Sequence, residues 1–526
     1  MPRQIVVGIL TLAAAAAIVV WMQLGDDAFQ RAVTPEFAVP PHPLLRPLLH
    51  RPDAGAKDRL RVPELGGVMS GITADEQRLV ASMQEAVAQA LRADPADVGA
   101  LLDGARRLLW LGYWPFAENA ATQVLAIAPN DAAANALLAA VRAEQGRLAE
   151  ARALASEALR RDPTASSARI VDAHARAMRG ARSEAITTLR DVADHDPDQP
   201  AAAFLLGTLL ADTGQFAAAT PWLARARTFL PASGIGKGEY VATVAAFADL
   251  LGGRTPYRNS GTADVPMQRL PLPAVAVTLS GRGRTLPGLC VIDCGASLTV
   301  LGPAAAALAR ESTAQASMLT VAGKSGNVAG LLERLAIGGL VLDDVPVLVN
   351  HGEQAPHAPG VIGTIGIGLL RNFRVTIDPS AGRFRLDSPH VASEPQAAAE
   401  VPFELVHNTI VVQGSGGPER PFVFDSGANN LFVSPRVLGQ EFGALPGRPR
   451  TQVAFGGAET QTVEVPLPRP FVFGARDLPQ PTAIADPSID MRNAYLRFEC
   501  AGTLGLVVRA RYVLDFERQR LLLYDR

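Results

Sequence analysis

Cysteine is nearly missing: Cys290, Cys294 and Cys500 are the only three in 526 residues. So few exclude a disulfide framework, and their positions match no zinc-ligand spacing, so no metal site is expected of them; no cofactor is expected either. Cys290 and Cys294 stand too close along one expected strand and turn to bridge. In an oxidising compartment Cys290 with Cys500 is the pair to test, and the expectation otherwise is buried free thiols. Net charge is equally scant, because 49 basic and 51 acidic residues leave −2. That removes the case for nucleic acid or any other polyelectrolyte as a partner. A phosphate-binding loop is missing too: GIGKGEY, Gly234 to Tyr240, has no Ser or Thr after Lys237 and reads as a plain loop.

What is present is a globular balance, 48% hydrophobic and 19% charged, in a chain too long for one core. Ile5 to Met22 is an apolar run near the ~20 residues of a spanning helix, with Arg3 before it and Asp26 and Asp27 after. No small-x-small cleavage site follows Trp21, so residues 1–26 are expected to be an uncleaved signal anchor rather than a removed signal peptide. With its positive end in the cytoplasm, it would cross a bacterial inner membrane once and leave the bulk of the chain in the periplasm. Residues 27–73, rich in Pro and Arg, read as an extended spacer.

A period of 34 residues follows. Proline falls at Pro95, Pro129, Pro163, Pro197 and Pro231, and glycine at Gly112, Gly146, Gly180 and Gly214. Between these marks lie Ala- and Leu-rich stretches of helical spacing, such as GRLAEARALASEALRRDP from Gly146 to Pro163. The spacing predicts paired helices, with Gly making the turn inside a pair and Pro starting the next pair. This pattern resembles the tetratricopeptide repeat, over residues 74–250. The resemblance implies a solenoid that binds a protein partner. His174 and His195 are expected to face solvent.

From about Met267 the pattern turns to short β-branched runs broken by Gly and Pro. Here the chain repeats itself. VIDCGASLTVLGP (Val291 to Pro303) returns as VFDSGANNLFVSP (Val423 to Pro435) at a single offset of 132 residues. That offset aligns Asp293 with Asp425, Gly295 with Gly427, Ala296 with Ala428 and Pro303 with Pro435. The segments Gly363 to Leu386 and Gly502 to Leu523 also correspond. Their Asp378 and Asp515 are read as turn-forming carboxylates. The two halves are placed at 265–388 and 400–526 with a linker at 389–399. His351, His357, His390 and His407 are expected on the surface.

An Asp-x-Gly-Ala turn after a strand, then an apolar strand and a Pro-led helix, given twice, resembles the aspartic proteases of the retropepsin and pepsin type. The whole chain is then expected to be a membrane helix, an all-α tetratricopeptide-like solenoid and an all-β, double-lobed acid-protease barrel. The resemblance implies a catalytic pair, Asp293 and Asp425, supported by Cys294, Gly295, Ala296, Ser426, Gly427 and Ala428. Two carboxyls a few ångströms apart share a proton, so one acts as base and the other as acid on a lytic water. Gly-rich hairpins at Thr320 to Gly330 and Gln452 to Val465 are the flap candidates, marked by Gly323, Gly326, Gly456 and Gly457. Cys294 departs from the family's Thr or Ser, and a thiol is a weaker and longer donor. Two functions follow: an aspartic endopeptidase acting on polypeptides, or a catalytically impaired relative that binds peptides as a scaffold in the cell envelope.

Overall fold

The computed structural model describes residues 48, 60–65, 73–231, 237–269, 272–320, 323–352, 359–390, 396–406, 408–415, 420–428, 430–443, 445–453, 459–473, 476–478, 482–490, 500–505 and 511–524. The expected membrane anchor, most of the spacer and part of the linker lie outside them. Among the described residues no helix is long and apolar enough to cross a membrane.

The first half is helical: α1 (Ala74–Ala93), α2 (Val98–Trp110), α3 (Trp114–Ile127), α4 (Ala132–Glu144), α5 (Leu148–Arg161), α6 (Ser166–Met178), α7 (Arg182–His195), α8 (Pro200–Asp212), α9 (Phe216–Arg227) and α10 (Lys237–Leu251). Gly112, Gly146, Gly180 and Gly214 close α2, α4, α6 and α8 with φ of +92°, +75°, +97° and +77°. A side chain is strained in that left-handed conformation, which is why glycine recurs at this step. The prolines do not start helices as the spacing suggested. Pro95, Pro129, Pro163 and Pro197 sit in the turns between pairs, and the next helix opens three residues later. Caps take over the starting role in the first repeats, where Asp97 and Asp131 accept hydrogen bonds from Ala100 N and Ala134 N, both at 2.8 Å.

Two β-lobes follow, each built around the same crossing of strands. In the first, Arg284–Ile292 runs parallel to Val361–Ile365, which is antiparallel to Thr299–Leu301. In the second, Arg420–Phe424 runs parallel to Gly502–Leu504, which is antiparallel to Leu431–Val433. The registers match: Val291 opposes Thr364 as Val423 opposes Thr503, and Val300 opposes Thr364 as Phe432 opposes Thr503. In each lobe the Asp-containing loop therefore leaves one neighbour of a central strand and returns on its other side.

A single antiparallel sheet joins the lobes. Its order is Ala263–Arg269, Arg383–Asp387, Arg374–Asp378, Tyr512–Asp515, Arg520–Leu523 and Ala399–Val406, with Thr376 opposite Val513 at the seam. Asp378 and Asp515 stand at its hairpin turns. Asp378 accepts from Ser380 N at 3.0 Å and Ala381 N at 2.9 Å, and Asp515 from Arg518 N at 2.9 Å.

The helical array is packed against both lobes. Val244, Phe247 and Leu251 of α10 share a core with Ala329, Leu331 and Leu348 of the first lobe. Leu148 and Met178 share one with Val406, Val411, Val423 and Cys500 of the second. Arg152 adds an ion pair to Glu404 at 2.6 Å.

Candidate active site

The two Asp-containing loops meet between the lobes. Strand ends set their position: Asp293 N donates to Ile365 O at 3.1 Å, and Asp425 N to Leu504 O at 2.9 Å. Each carboxylate then folds back on its own loop, with Gly295 N donating to Asp293 Oδ1 at 2.8 Å and Gly427 N to Asp425 Oδ1 at 2.7 Å. Ala296 N adds a longer bond to Asp293 Oδ1 at 3.2 Å, and Ala428 N donates to the Asp425 carbonyl at 3.2 Å.

Each glycine makes room for the carboxyl of the other lobe. A Cβ on Gly295 would stand 2.6 Å from Asp425 Cγ, and one on Gly427 would stand 2.6 Å from Asp293 Cγ. No side chain tolerates that approach.

Beneath the carboxyls lies a reciprocal brace. Cys294 N donates to Ser426 Oγ at 3.0 Å, and Ser426 N donates to Cys294 Sγ at 3.1 Å. Ser426 Oγ donates in turn to Ile292 O at 3.0 Å, and Cys294 Sγ to Phe424 O at 3.6 Å. Both side chains are buried. The thiol thus occupies the position of a hydroxyl in the same four-bond pattern, with one long arm.

Burial is the first cause holding the Asp293 carboxyl well above the usual range. The charge of Asp425 and the hydrogen bond to it push the same way, against the N–H groups of Gly295 and Ala296. Burial also raises the Cys294 thiol, helped by Asp425, so this cysteine stays protonated and able to donate.

Two contributors lie in the corresponding segments Gly502 to Leu523 and Gly363 to Leu386, where the sequence assigned them no individual role. Tyr512, fully buried in the sheet between the lobes, stacks edge-on against Phe424 with ring centroids 5.4 Å apart. Its hydroxyl finds no hydrogen-bond partner among the described residues, and burial raises its pKa, with Cys294 and Asp425 adding to the effect. The second is the one-turn helix Ile367–Leu370. Its Ile367 N donates to Ala296 O at 2.8 Å and Gly368 N to Ser297 O at 3.1 Å, fixing the first Asp loop from behind.

Gly323 and Gly326 lie on one arm of a long hairpin, Arg310–Thr320 with Gly323–Ile337, where Thr320 opposes Gly323 and Ser317 opposes Gly326. In the second lobe Arg448–Val453 pairs with Glu459–Pro466, while Gly456 and Gly457 lie outside the described residues. The three cysteines are free and buried, so Cys290 and Cys500 are not paired, and the Cys500 thiol donates to Gly502 O at 2.7 Å. His351 and His390 sit on the surface beside Glu311 and Glu517, and His195 beside Asp191. His174 is half-buried, and His357 and His407 lie outside the described residues.

A family model described as aspartyl protease matches residues 275–366. The crystal structure of a thermophilic TPR protein in Thermus thermophilus matches at 21% identity, over 32% of this chain and 90% of that one, with a TM-score of 0.24. No curated protein matches the chain.

Proposed function

We propose that this chain, whose residues 275–366 match a family model described as aspartyl protease, is an aspartic endopeptidase in which Asp293 and Asp425 activate water against a peptide bond. The observation that carries this reading is the meeting of two carboxyls between the lobes, each packed against the glycine of the other's loop, with Asp293 pushed towards its protonated form. One carboxyl of the pair then holds the shared proton and the other serves as the base. The ionised carboxyl takes a proton from water as the water oxygen attacks the carbonyl carbon, and the protonated one donates its proton to the carbonyl oxygen. The tetrahedral intermediate collapses when that oxygen returns its proton to the carboxyl that gave it and the other carboxyl delivers the water's proton to the leaving amine. No covalent bond to the enzyme forms.

Gly295 N and Gly427 N keep each carboxylate oriented, and the Cys294–Ser426 brace holds the loops at the separation this proton sharing needs. The hairpin bearing Gly323 and Gly326, with its counterpart in the second lobe, covers an extended polypeptide in the cleft. The helical array recruits a protein partner or substrate, and the N-terminal apolar segment tethers the assembly to the inner membrane with the lobes in the periplasm.

A second reading, a peptide-holding scaffold, draws on the 3.6 Å thiol bond to Phe424 O, the weakest arm of the brace. One experiment separates the two. Purified chain is incubated with a peptide library at mildly acid pH, with and without pepstatin, beside the Asp293→Asn and Asp425→Asn variants. Pepstatin-sensitive cleavage lost in both variants supports the enzyme. Peptide retention without cleavage, unchanged in the variants, supports the scaffold.

A further inference from the structure

Residues 60–65, LRVPEL, do not run free of the helical array but lie along its first helices. The side-chain amide of Gln123 on α3 grips the backbone of Arg61 from both sides: Arg61 N donates to Gln123 Oε1 at 2.8 Å, and Gln123 Nε2 donates to Arg61 O at 3.0 Å. Asn119 Oδ1, one turn earlier, accepts from the same Nε2 at 2.7 Å and fixes the amide's orientation. On the other side Gln84 of α1 donates from Nε2 to Pro63 O at 3.3 Å, and Leu60 N donates to Pro95 O at 3.0 Å. Leu60 and Pro63 are buried, Val62 and Leu65 half-buried, while Arg61 and Glu64 point to solvent.

We propose that α1, α3 and the turn at Pro95 form a docking groove for an extended peptide of pattern Leu-x-x-Pro, and that the chain's own segment 60–65 is a resident occupant that a partner displaces. The polar grip is on backbone groups, which any extended segment offers. Side-chain selection falls chiefly on the two buried positions, the Leu and the Pro three residues on, with the half-buried Val62 and Leu65 positions adding less, and the Pro suits an already extended backbone. The exposed Arg61 and Glu64 add nothing a partner must reproduce. The partner is thus a protein presenting an unfolded or terminal Leu-x-x-Pro stretch. Tethering gives the resident segment a high effective concentration, so the groove admits a partner only when that partner binds more tightly or the segment is drawn away. The inference rests on the helical array being a recruiting surface. It is independent of the peptidase reading.

The test uses the full chain and a fluorescein-labelled LRVPEL peptide, read by anisotropy. Leu60→Asp should free the groove and bind the labelled peptide at least tenfold more tightly than the unaltered chain does. Adding Gln123→Ala to that variant, or replacing the peptide's proline with alanine, should reverse the gain. Equal binding by the unaltered chain and Leu60→Asp, or indifference to Gln123→Ala, overturns the proposal and leaves the segment as a cap on the terminal repeat. If Leu60→Asp fails to fold, Gln123→Ala alone should release the segment and speed trypsin cleavage after Arg61 several-fold. An unchanged cleavage rate has the same overturning force. Hydrolysis of a library peptide, measured on the same samples, reports the peptidase separately.

Discussion

Arg371 reaches Asp212 across the boundary between the first β-lobe and the helical array, its guanidinium 3.4 Å from the carboxylate. The same guanidinium also donates to Asn408 of the second lobe, so one side chain touches all three parts. Arg371 immediately follows the one-turn helix whose N–H groups hold Ala296 and Ser297. Arg182 lies close to the same carboxylate, and burial followed by the charge of Arg371 lowers its pKa. Asp212→Asn should therefore leave the buried Arg371 guanidinium without its carboxylate and cost about 3 kcal/mol. Thermal melting should fall, and turnover should fall with it as the first Asp loop loosens, while Arg371→Met combined with Asp212→Leu should recover much of the melting temperature.

The dyad makes a pH-dependent contribution whose sign is fixed. Asp293 is protonated to higher pH in the folded chain than in the unfolded one. The stability this provides is full below the ordinary Asp range and is lost as pH rises through the folded value. Asp293→Asn removes the penalty. The variant should melt higher than the parent at neutral pH, with the gap closing towards pH 4. Activity should fall by about 10³-fold or more in Asp293→Asn and Asp425→Asn alike, and in the parent it should decline as alkali strips the shared proton.

Cys294 offers a gain-of-function test. A Thr hydroxyl donates more strongly and at shorter range than the thiol that now reaches Phe424 O at 3.6 Å. Cys294→Thr should raise kcat several-fold, with KM little changed. Cys294→Ala should do the opposite, leaving the buried Ser426 N–H without its acceptor at a cost of about 1–3 kcal/mol. Steady-state kinetics and urea unfolding of the two variants check both directions.

Two glycine-to-alanine changes should have opposite signs. At Gly180, φ is +97° and the nearest atoms to a new Cβ, on Gln519 and Glu517, stand at an ordinary 3.6 and 3.7 Å. The loss, about 1 kcal/mol, then comes from the backbone alone. Gly439 sits inside the helix Pro435–Phe442 with nothing within 4 Å of a new Cβ, so alanine there should stabilise by about 0.5–1 kcal/mol. Calorimetry of both variants measures the pair.

What could be read from the sequence was whatever a local constraint forces on one residue type. A left-handed turn demands glycine, so Gly112, Gly146, Gly180 and Gly214 announced the helical pairs. The prolines announced the period but not their place in it, because a turn proline and a first-turn proline leave the same spacing. The doubled Asp-x-Gly-Ala was legible because each glycine faces the other lobe's carboxyl at a distance no side chain allows. Tyr512, Arg371 and Gln123 were not. Each matters through a partner far along the chain, at Phe424, Asp212 and Arg61, and nothing in its own neighbourhood records that pairing.

The antiparallel seam at Thr376 and Val513 has a consequence for how such a molecule tolerates scarcity. An active centre assembled from two separate copies comes apart as the copies grow rare. Here both carboxyl-bearing halves are ribbons of one polypeptide, woven into one sheet. Dilution therefore cannot part the two carboxyls.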